Sequence, residues 1–391
     1  MNANPIVVVG ASLSGLRAVE AFRRRGVDRP IVWVGAENVL PYDRPPLSKQ
    51  ILRGDWDAAR TALKANYPML GVEPRLGVRA TALDTTSRRV TLSDGESIPY
   101  SGVVVATGAS ARNLRGGEHV PGVHVLRTLD DALAIRAALE KRPRVAVVGA
   151  GFIGLEVAAV ARGLGLDVTL VEALETPLER SIGLTLGAAV AALHTSEGVT
   201  LRTGVGVERI LGEGNVERLL LADGTHVDAD LVVVGIGVEP ETAWLAGSSV
   251  QLERGVLCDS RCRSTAPDVV ACGDVARWLA PSGKTMHVEH WTNAVEQANA
   301  AVASLLDGDA APEYSPVPYF WSDQYDAKLQ FAGQTEPADT LRVVTGSVAT
   351  RDLVATWGRD GKLTAVLTVN NPAVFIRTRR AIQQGAAFDA G

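Results

Sequence analysis

The sequence predicts an α/β protein with two similar parallel-sheet domains and a smaller α+β domain at its C-terminal end. The first observation is that a short apolar strand runs into a glycine-rich turn twice, at Ile6–Val9 before Gly10–Gly15 and at Val145–Val148 before Gly149–Gly154. A helical pattern follows each turn, so backbone N–H groups at the helix start can face a pyrophosphate. The second observation is a change of character near Tyr319, where aromatic residues and alternating strands begin.

Each half of the chain then repeats the same order of elements. A helix, predicted at about Gly15 to Arg25 and again at about Gly154 to Gly163, leads to a second apolar strand, at Ile31–Val34 and at Val168–Val171. Hairpin signals follow at Asp94-Gly95 and Asp223-Gly224, and each half then has a strand that runs into glycine, at Val103–Val105 and at Leu231–Val234. We interpret this as a domain duplication of roughly 110–140 residues rather than a solenoid. Near-continuous apolar strands between helices indicate parallel sheets that are covered on both faces.

The third domain is predicted from β-like alternation. Leu341–Val344 and Leu363–Leu367 read as strands, and Asp360-Gly361 between them is a hairpin signal. The proline-containing stretch 311–318 is the predicted linker. An antiparallel sheet is therefore expected after Tyr319.

The composition of the chain argues against several classes of function. The chain has 391 residues and a formal net charge of −5, so no field of the whole protein favours nucleic acid. Its three cysteines, Cys258, Cys262 and Cys272, lack zinc-type spacing and are expected to be buried thiols in a reduced compartment. No metal site is predicted. We see neither a signal peptide nor an apolar stretch of membrane-spanning length, and we expect a soluble, cytoplasmic protein.

The second glycine turn predicts an NAD(H) site. Gly149, Gly151 and Gly154 are all present, and the next strand ends at Glu172, whose carboxylate can accept hydrogen bonds from ribose hydroxyls and repels a 2′-phosphate. No arginine follows Glu172 directly, which favours NAD(H) over NADP(H). A glycine-rich structural turn with an accidental acid is the alternative.

The first glycine turn is less regular. Ser12 stands where the middle glycine is expected, and the acid after the second strand, Glu37, is offset by Gly35-Ala36. The segment Pro41–Lys49 decides which nucleotide belongs here. Pro45-Pro46 forms a stiff backbone without N–H donors that suits a flat ring, Arg44 can offer a forked cation to a pyrophosphate, and Lys49 can stabilise an anion. We therefore expect FAD in this site; a solvated proline loop is the alternative.

Five segments together resemble the oxygenase-coupled ferredoxin reductases, a family of FAD-dependent NADH:ferredoxin reductases. They occur in the family's order along essentially the whole chain: Tyr42–Lys49, Ala106–Gly108, Gly149–Glu156, Cys272–Asp274 and Phe320–Gln324. The resemblance implies a glutathione-reductase-like arrangement of two Rossmann-like domains and a small α+β C-terminal domain. The implied boundaries are 1–109 with 238–315 for a discontinuous FAD domain, 110–237 for NAD, and 316–391 for the C-terminal interface domain.

The resemblance also implies site residues, which join those of the glycine motifs. The residues expected at FAD are Gly10, Ser12, Ser14, Gly15, Glu37, Arg44, Lys49, Ala80, Thr107, Gly108, Arg127, Asp274 and Trp291. Those expected at NAD are Gly149, Gly151, Ile153, Gly154, Glu156, Glu172 and Gly237. Family members often carry an acid where this chain has Ala36, so ribose contact by Glu37 is a departure from the pattern.

Three residues are implied to be catalytic. Glu156 interacts with Lys49 and the nicotinamide amide in the family pattern, and Trp321 lies close to the flavin. As alternatives, Trp321 fills a domain interface and Arg127 forms a surface salt bridge. The implied reaction is hydride transfer from NADH to FAD, followed by release of single electrons to an iron–sulfur ferredoxin that supplies a haem monooxygenase or a ring-hydroxylating dioxygenase.

Three competing functions share the fold. A disulfide reductase or peroxidase needs a redox cysteine, but no cysteine precedes Cys258. An NADH-responsive sensor like apoptosis-inducing factor is the second competitor, and a rubredoxin reductase, which differs only in its acceptor, is the third.

Ferredoxins are typically acidic, so we expect a basic docking surface, with Arg377–Arg380, Arg53 or Arg60 as candidates and a plain solvated face as the alternative. A monomer or weak dimer is expected.

Overall fold

The computed structural model of the chain describes residues 4–388. The first part forms β1 (Ile6–Val9), α1 (Leu13–Arg24), β2 (Ile31–Val34), α2 (Tyr67–Leu70), β3 (Ala80–Asp84), β4 (Arg89–Leu92), β5 (Ser97–Pro99), β6 (Gly102–Val105) and β7 (Ala109–Ala111). The middle part forms β8 (Val123–Val125), α3 (Leu129–Leu139), β9 (Val145–Val148), α4 (Phe152–Gly163), β10 (Val168–Val171), α5 (Glu179–Ser196), β11 (Thr200–Arg202), β12 (Val207–Leu211), β13 (Arg218–Leu221), β14 (His226–Asp228), β15 (Leu231–Val234) and β16 (Val238–Pro240).

The last part completes the series of elements. It forms β17 (Val256–Cys258), β18 (Val269–Ala271), β19 (Ala276–Leu279), β20 (Thr285–His287), α6 (Trp291–Asp307), β21 (Tyr319–Gln324), β22 (Ala327–Gly333), β23 (Thr340–Ser347), β24 (Asp352–Arg359), β25 (Lys362–Val369) and α7 (Pro372–Gln383). Short helical turns lie between these helices and strands, and one of them is a π-helix at Leu47–Ile51. Helix α5 is interrupted at Gly183, whose backbone is not helical.

The chain divides into two compact units. The described residues of the first unit are 4–43, 61–110 and 239–318, and those of the second are 44–60, 111–238 and 319–388. The domain boundaries expected from the sequence place 44–60 with the FAD domain, whereas this segment packs within the second unit.

The first unit is built on a parallel sheet of strand order β18-β6-β1-β2. All four residues of β1 and of β6 are buried, as expected for a sheet covered on both faces. Two smaller sheets, β3-β4-β5 and β17-β19-β20, complete the unit. The predicted hairpin at Asp94-Gly95 joins β4 to β5.

The second unit contains a parallel sheet of order β11-β10-β9-β15-β8 and an antiparallel sheet of order β21-β22-β25-β24-β23. Three antiparallel strands, β12-β13-β14, include the predicted hairpin at Asp223-Gly224. Burial alternates along β21, so one face of this strand is covered and the other is half exposed. The predicted fold class, with its antiparallel C-terminal sheet, is confirmed.

Two helix starts differ from the sequence prediction. Helix α1 begins at Leu13 and α4 at Phe152, each two residues before the predicted glycine. Gly15 and Gly154 therefore lie inside the first turn, where an added Cβ would collide with the carbonyl oxygens of Gly10 and Gly149. The glycine in each case permits close packing of the helix on the turn rather than marking the helix start.

Candidate functional site

The first glycine turn can form only with glycine at Gly10. Its φ of +121° is a conformation that L side chains rarely adopt, and an added Cβ would fall on the carbonyl oxygen of Ala106. The Trp33 indole N–H donates to the Gly10 carbonyl at 3.0 Å, which fixes the turn from the neighbouring strand. The start of α1 is thereby held at the carboxyl end of β1.

Ser12 occupies the N-cap of α1 but its side chain caps nothing. Its backbone is extended, its hydroxyl forms no capping hydrogen bond, and no acidic residue lies in the first turn of the helix. The first N–H groups of α1 are therefore available to an external anion, as a pyrophosphate site requires. The residues of this turn fit the phosphates of FAD even though the middle glycine is replaced.

Other residues predicted at FAD lie at ends of elements in the same unit. The Tyr42 hydroxyl donates to the half-buried carboxylate of Glu37. An added Cβ at Gly273, directly before Asp274, would collide with the Ser14 hydroxyl, so the two segments approach closely.

Two interactions hold α6 and Asp274 in place. The Trp291 indole N–H, at the first position of α6, donates to Asp43 Oδ1 at 2.6 Å. The backbone carbonyl of Asp274 lies 2.8 Å from His287 Nε2. Burial lowers the pKa of His290, the N-cap residue of α6, to about 4, so this side chain is neutral at pH 7.

The remaining predicted residues of this unit belong to strands or to the turn after β6. Ala80 is half buried at the start of β3. The Thr107 hydroxyl donates to the carbonyl of Glu241 at 2.7 Å, and Gly108 has a φ of +67°. These contacts fix the turn that follows β6.

The second glycine turn repeats this geometry in the second unit. Gly149 has a φ of +99°, and a Cβ there would fall on the carbonyl oxygen of Gly235. Gly151 is the N-cap of α4, is exposed, and an added Cβ would meet no described protein atom within 4 Å. Gly149 is thus required by the fold, whereas the space at Gly151 suits a ligand that approaches the backbone.

Glu172 lies at the end of β10, as predicted. Its two carboxylate oxygens accept hydrogen bonds from the backbone N–H groups of Ala150 at 2.6 Å and Leu174 at 2.9 Å. The side chain is thereby fixed beside the glycine turn. Ile153 is 40% exposed in the first turn of α4, and Gly237 has a φ of +100° with open space around it.

A buried ion pair joins two of the predicted catalytic residues. Lys49 Nζ lies 2.8 Å from Glu156 Oε2, and the two side chains are 7% and 5% exposed. Lys49 lies on the π-helix Leu47–Ile51 and Glu156 on the buried face of α4. The contact that the resemblance implies between Glu156 and Lys49 is present in the structure.

Two serines that sequence reasoning did not assign complete this cluster. The Ser48 hydroxyl donates to Glu156 Oε2, and the Ser322 hydroxyl donates to Glu156 Oε1 at 2.8 Å. Both carboxylate oxygens of Glu156 therefore have donors, which a buried charge requires. Ser48 and Ser322 lie inside the family segments Tyr42–Lys49 and Phe320–Gln324, and that position was their only sequence signal.

The two predicted arginines lie near one another in the second unit. The Arg44 guanidinium donates to the backbone carbonyl of Arg127. The backbone N–H of Arg127 donates to Asp131 Oδ2 at 3.0 Å, next to the capping box that Thr128 and Asp131 form at the start of α3. Arg127 is thus held by helix capping.

Trp321 lies on the other face of β21 from Ser322. Burial alternates along the strand, and Trp321 is half buried with its ring centroid 5.8 Å from that of Tyr319. The structure therefore does not bring Trp321 into the cluster around Glu156.

The three cysteines are free and buried, as predicted. Burial raises the pKa of the Cys272 thiol to about 12 and also raises the pKa values of Cys258 and Cys262. Protonated, buried thiols are poor nucleophiles, so these residues do not form the reactive pair of a disulfide reductase. Within residues 4–388, no group of three or more His, Cys, Asp or Glu side chains could hold a metal ion, and no helix is long and apolar enough to cross a membrane.

Comparison with known proteins agrees with this geometry. Residues 4–298 match the family model described as pyridine nucleotide-disulphide oxidoreductase, and residues 319–391 match the model described as reductase C-terminal. The ferredoxin–NAD(+) reductase component of the anthranilate 1,2-dioxygenase system of Burkholderia cepacia is 38% identical, over 100% of this chain and 96% of that protein. Rhodocoxin reductase of Rhodococcus erythropolis is 37% identical, over 96% of this chain and 89% of its own.

A solved structure extends the comparison to three dimensions. The covalent complex of putidaredoxin reductase with putidaredoxin contains a chain that superimposes with a TM-score of 0.93 at 32% identity, covering 98% of this chain and 94% of that one. The chain belongs to the pyridine nucleotide-disulphide oxidoreductase family. Its predicted resemblance to the oxygenase-coupled ferredoxin reductases is confirmed, as are its class, an oxidoreductase, and its cofactors, FAD and NAD(H).

Proposed function

We propose that this protein transfers a hydride from NADH to FAD and passes the electrons singly to an iron–sulfur ferredoxin that supplies a haem monooxygenase or a ring-hydroxylating dioxygenase. The buried Lys49–Glu156 pair, seated in the unit that carries the complete glycine motif, is the observation on which this proposal chiefly rests. One relative is named as the ferredoxin–NAD(+) reductase component of a dioxygenase system, and it matches over the whole chain. Bound FAD supplies the conversion of a two-electron donor into one-electron steps.

The assignment of residues to the two nucleotides is part of the proposal. The first unit binds FAD through the start of α1 and through Ser14 and Asp274, and the second unit binds NAD(H) through the start of α4 and through Glu172. The unused N–H groups at each helix start support both assignments, because each faces no acidic side chain in its own first turn. The domain boundaries predicted from the sequence, like the proposed cytoplasmic location, stay predictions.

Lys49 and Glu156 have complementary roles in this proposal. Lys49 holds a positive charge in a site from which water is excluded, where it stabilises negative charge that develops during hydride transfer. Glu156 orients the nicotinamide amide and keeps the Lys49 ammonium in place. Trp321 is proposed to contact the flavin, and it is half buried on β21.

The thiols argue for an acceptor outside the chain. All three cysteines are buried and protonated, so a dithiol cannot take the electrons onward. A separate one-electron carrier is then the simplest acceptor, in agreement with the reductases of the same family.

The direct test is a coupled assay with NADH, putidaredoxin or another oxygenase ferredoxin, and cytochrome c. We expect rapid cytochrome c reduction only when ferredoxin is present. Slow reduction of the protein by NADH with a persistent long-wavelength absorption band and no effect of any ferredoxin would contradict the proposal and would indicate an NADH-responsive sensor. Activity with rubredoxin but with no ferredoxin would show that the electron acceptor is a rubredoxin.

A further inference from the structure

A chain of hydrogen bonds leads away from Glu156 into the second unit. The Ser322 hydroxyl donates to Glu156 Oε1 at 2.8 Å, and the Gln324 amide nitrogen donates to Ser322 Oγ at 3.1 Å. His194 Nε2 lies 3.0 Å from Gln324 Oε1, and the Tyr325 hydroxyl lies 3.1 Å from His194 Nδ1. The chain thus joins α4, β21 and α5 without a break.

The middle of this chain is fully buried. Ser322, Gln324 and His194 are 0% exposed, and Glu156 is 4% exposed. Ser322 and Gln324 are two residues apart, so the pleat of β21 directs both to its covered face. Buried polar groups are costly unless they are hydrogen-bonded, and each of these groups has its partner in the chain.

The donor and the acceptor of each hydrogen bond in this chain follow from the chemical groups that it joins. An amide oxygen can only accept, so the His194 proton must be on Nε2 and its Nδ1 accepts from the Tyr325 hydroxyl. Burial lowers the pKa of His194, which keeps the ring neutral in this tautomer. The Gln324 amide then donates to Ser322, and the Ser322 proton is left for Glu156.

We propose that His194 and Gln324 are positioning residues for the nicotinamide site, because together they orient the Ser322 hydroxyl so that it donates to Glu156 Oε1. If the Gln324 amide were reversed, its oxygen would face Ser322 and compete with the carboxylate for that proton. Glu156 would then be held through Oε2 alone, by Ser48 and Lys49, and its carboxylate could rotate. This inference rests on the proposed function of Glu156 in NADH binding.

Three substitutions and one control test the positioning role in the holoenzyme. Gln324→Met removes the amide oxygen and the amide nitrogen at nearly constant volume, and His194→Leu removes the Nε2 donor. His194→Gln places an amide donor close to the position of Nε2 and should restore the function. The control is Thr368→Val in β25 of the same sheet, because the Thr368 hydroxyl is 0% exposed and has no hydrogen-bond partner among the described residues.

The reductive half-reaction, measured by stopped flow, separates the Kd for NADH from the limiting rate. We expect Gln324→Met and His194→Leu to raise the Kd for NADH about fivefold, the effect of losing roughly one positioned hydrogen bond. The limiting rate should change less, and His194→Gln and Thr368→Val should stay within about twofold of the wild type. Equal values in His194→Leu and His194→Gln, at equal melting temperature, would overturn the proposal.

A spectroscopic readout tests the chain without turnover. The sequence has six histidines, and ¹⁵N NMR of histidine-labelled protein, with His194→Gln for assignment, reports the tautomer of each ring. We expect a neutral Nε2–H tautomer for His194 at pH 7, and an Nδ1–H tautomer or a charged ring there would overturn the proposal even if Gln324→Met fails to fold. Wild-type protein that is not reduced by NADH would instead contradict the proposed function, so the two failures are distinct.

Discussion

At the residue scale, Lys49 and Glu156 form an ion pair that is buried within the second unit. Neither charge is exposed enough to be solvated by water, so each depends on the other and on the two serine hydroxyls. Such a pair adds little net stability relative to apolar residues, but the loss of one partner leaves an uncompensated buried charge. The pair is therefore better explained by function than by stability.

The first prediction follows from that asymmetry. Lys49→Met should lower the free energy of unfolding by about 3 kcal/mol, measured by urea denaturation. Adding Glu156→Gln should recover much of that loss, because the neutral amide still bonds to Ser48 and Ser322. Both variants should be reduced by NADH much more slowly than the wild type. A Lys49→Met variant that keeps full stability and an unchanged reduction rate would contradict the assigned role.

The second prediction concerns coenzyme choice at Glu172. Glu172→Gln removes the charge but keeps the size and one acceptor for the backbone N–H groups of Ala150 and Leu174. The ratio of kcat/KM for NADH to that for NADPH should fall about tenfold, since charge-assisted bonds to ribose weaken and repulsion of a 2′-phosphate disappears. Glu175→Gln, at an exposed position nearby in sequence, is the control. An unchanged ratio would show that Glu172 does not face the ribose.

At the element scale, the second glycine turn separates a folding requirement from a binding requirement. Gly149 is held at positive φ against the carbonyl of Gly235, whereas Gly151 has ordinary φ and open space. Both glycines belong to one motif, and only the structure distinguishes their tasks.

The third prediction uses this contrast. Gly149→Ala should destabilise the protein by more than about 1 kcal/mol, because it strains the backbone and collides with Gly235. Gly151→Ala should leave the melting temperature unchanged and raise the Kd for NADH, because the new methyl group occupies space that the pyrophosphate needs. Equal NADH affinity in the wild type and in Gly151→Ala would show that NADH does not bind against this turn.

Elements with strong local signals could be predicted from the sequence. The strands Ile31–Val34, Val168–Val171 and Leu231–Val234 were predicted with the bounds that the structure shows, because each is a short apolar run, rich in β-branched residues, between turn or helix signals. The π-helix at Leu47–Ile51 could not be predicted, since its proline-rich approach indicates only a loop.

The candidate site shows the same limit. The glycine motifs, Glu172 and the segment that ends at Lys49 are local patterns, whereas Glu156 was found through the family segments. The hydrogen bonds of Ser48 and Ser322 to Glu156 join positions 108 and 166 residues apart, and no local pattern encodes such a contact. His194 has no family segment around it, so its place beside Gln324 became visible only in the structure.

At the scale of the whole molecule, the net charge of −5 opposes an acidic ferredoxin, so docking needs a local basic surface. Arg377 and Arg380 are exposed on α7, and the Arg379 guanidinium lies over the Tyr319 ring. Arg60 is exposed with its guanidinium 4.4 Å from the centroid of the Trp56 ring, whereas Arg53 is paired with Asp55. The α7 arginines are therefore our preferred docking residues.

The fourth prediction is a charge reversal on that surface. Arg377→Glu with Arg380→Glu should raise the KM for ferredoxin severalfold, lower its dependence on ionic strength, and leave reduction by NADH unchanged. Arg115→Glu, an exposed arginine before β8, is the control. A ferredoxin KM that depends on neither the substitutions nor salt would exclude electrostatic docking through α7.

An anaerobic titration of the purified protein with NADH, followed by oxidised ferredoxin, tests the proposed electron transfer most directly, with visible absorption as the readout. We expect a yellow protein that NADH bleaches and ferredoxin restores, with two ferredoxins reduced for each NADH consumed. A colourless protein that cannot be reconstituted with FAD, or a bleached one that no ferredoxin reoxidises, would exclude the proposed function.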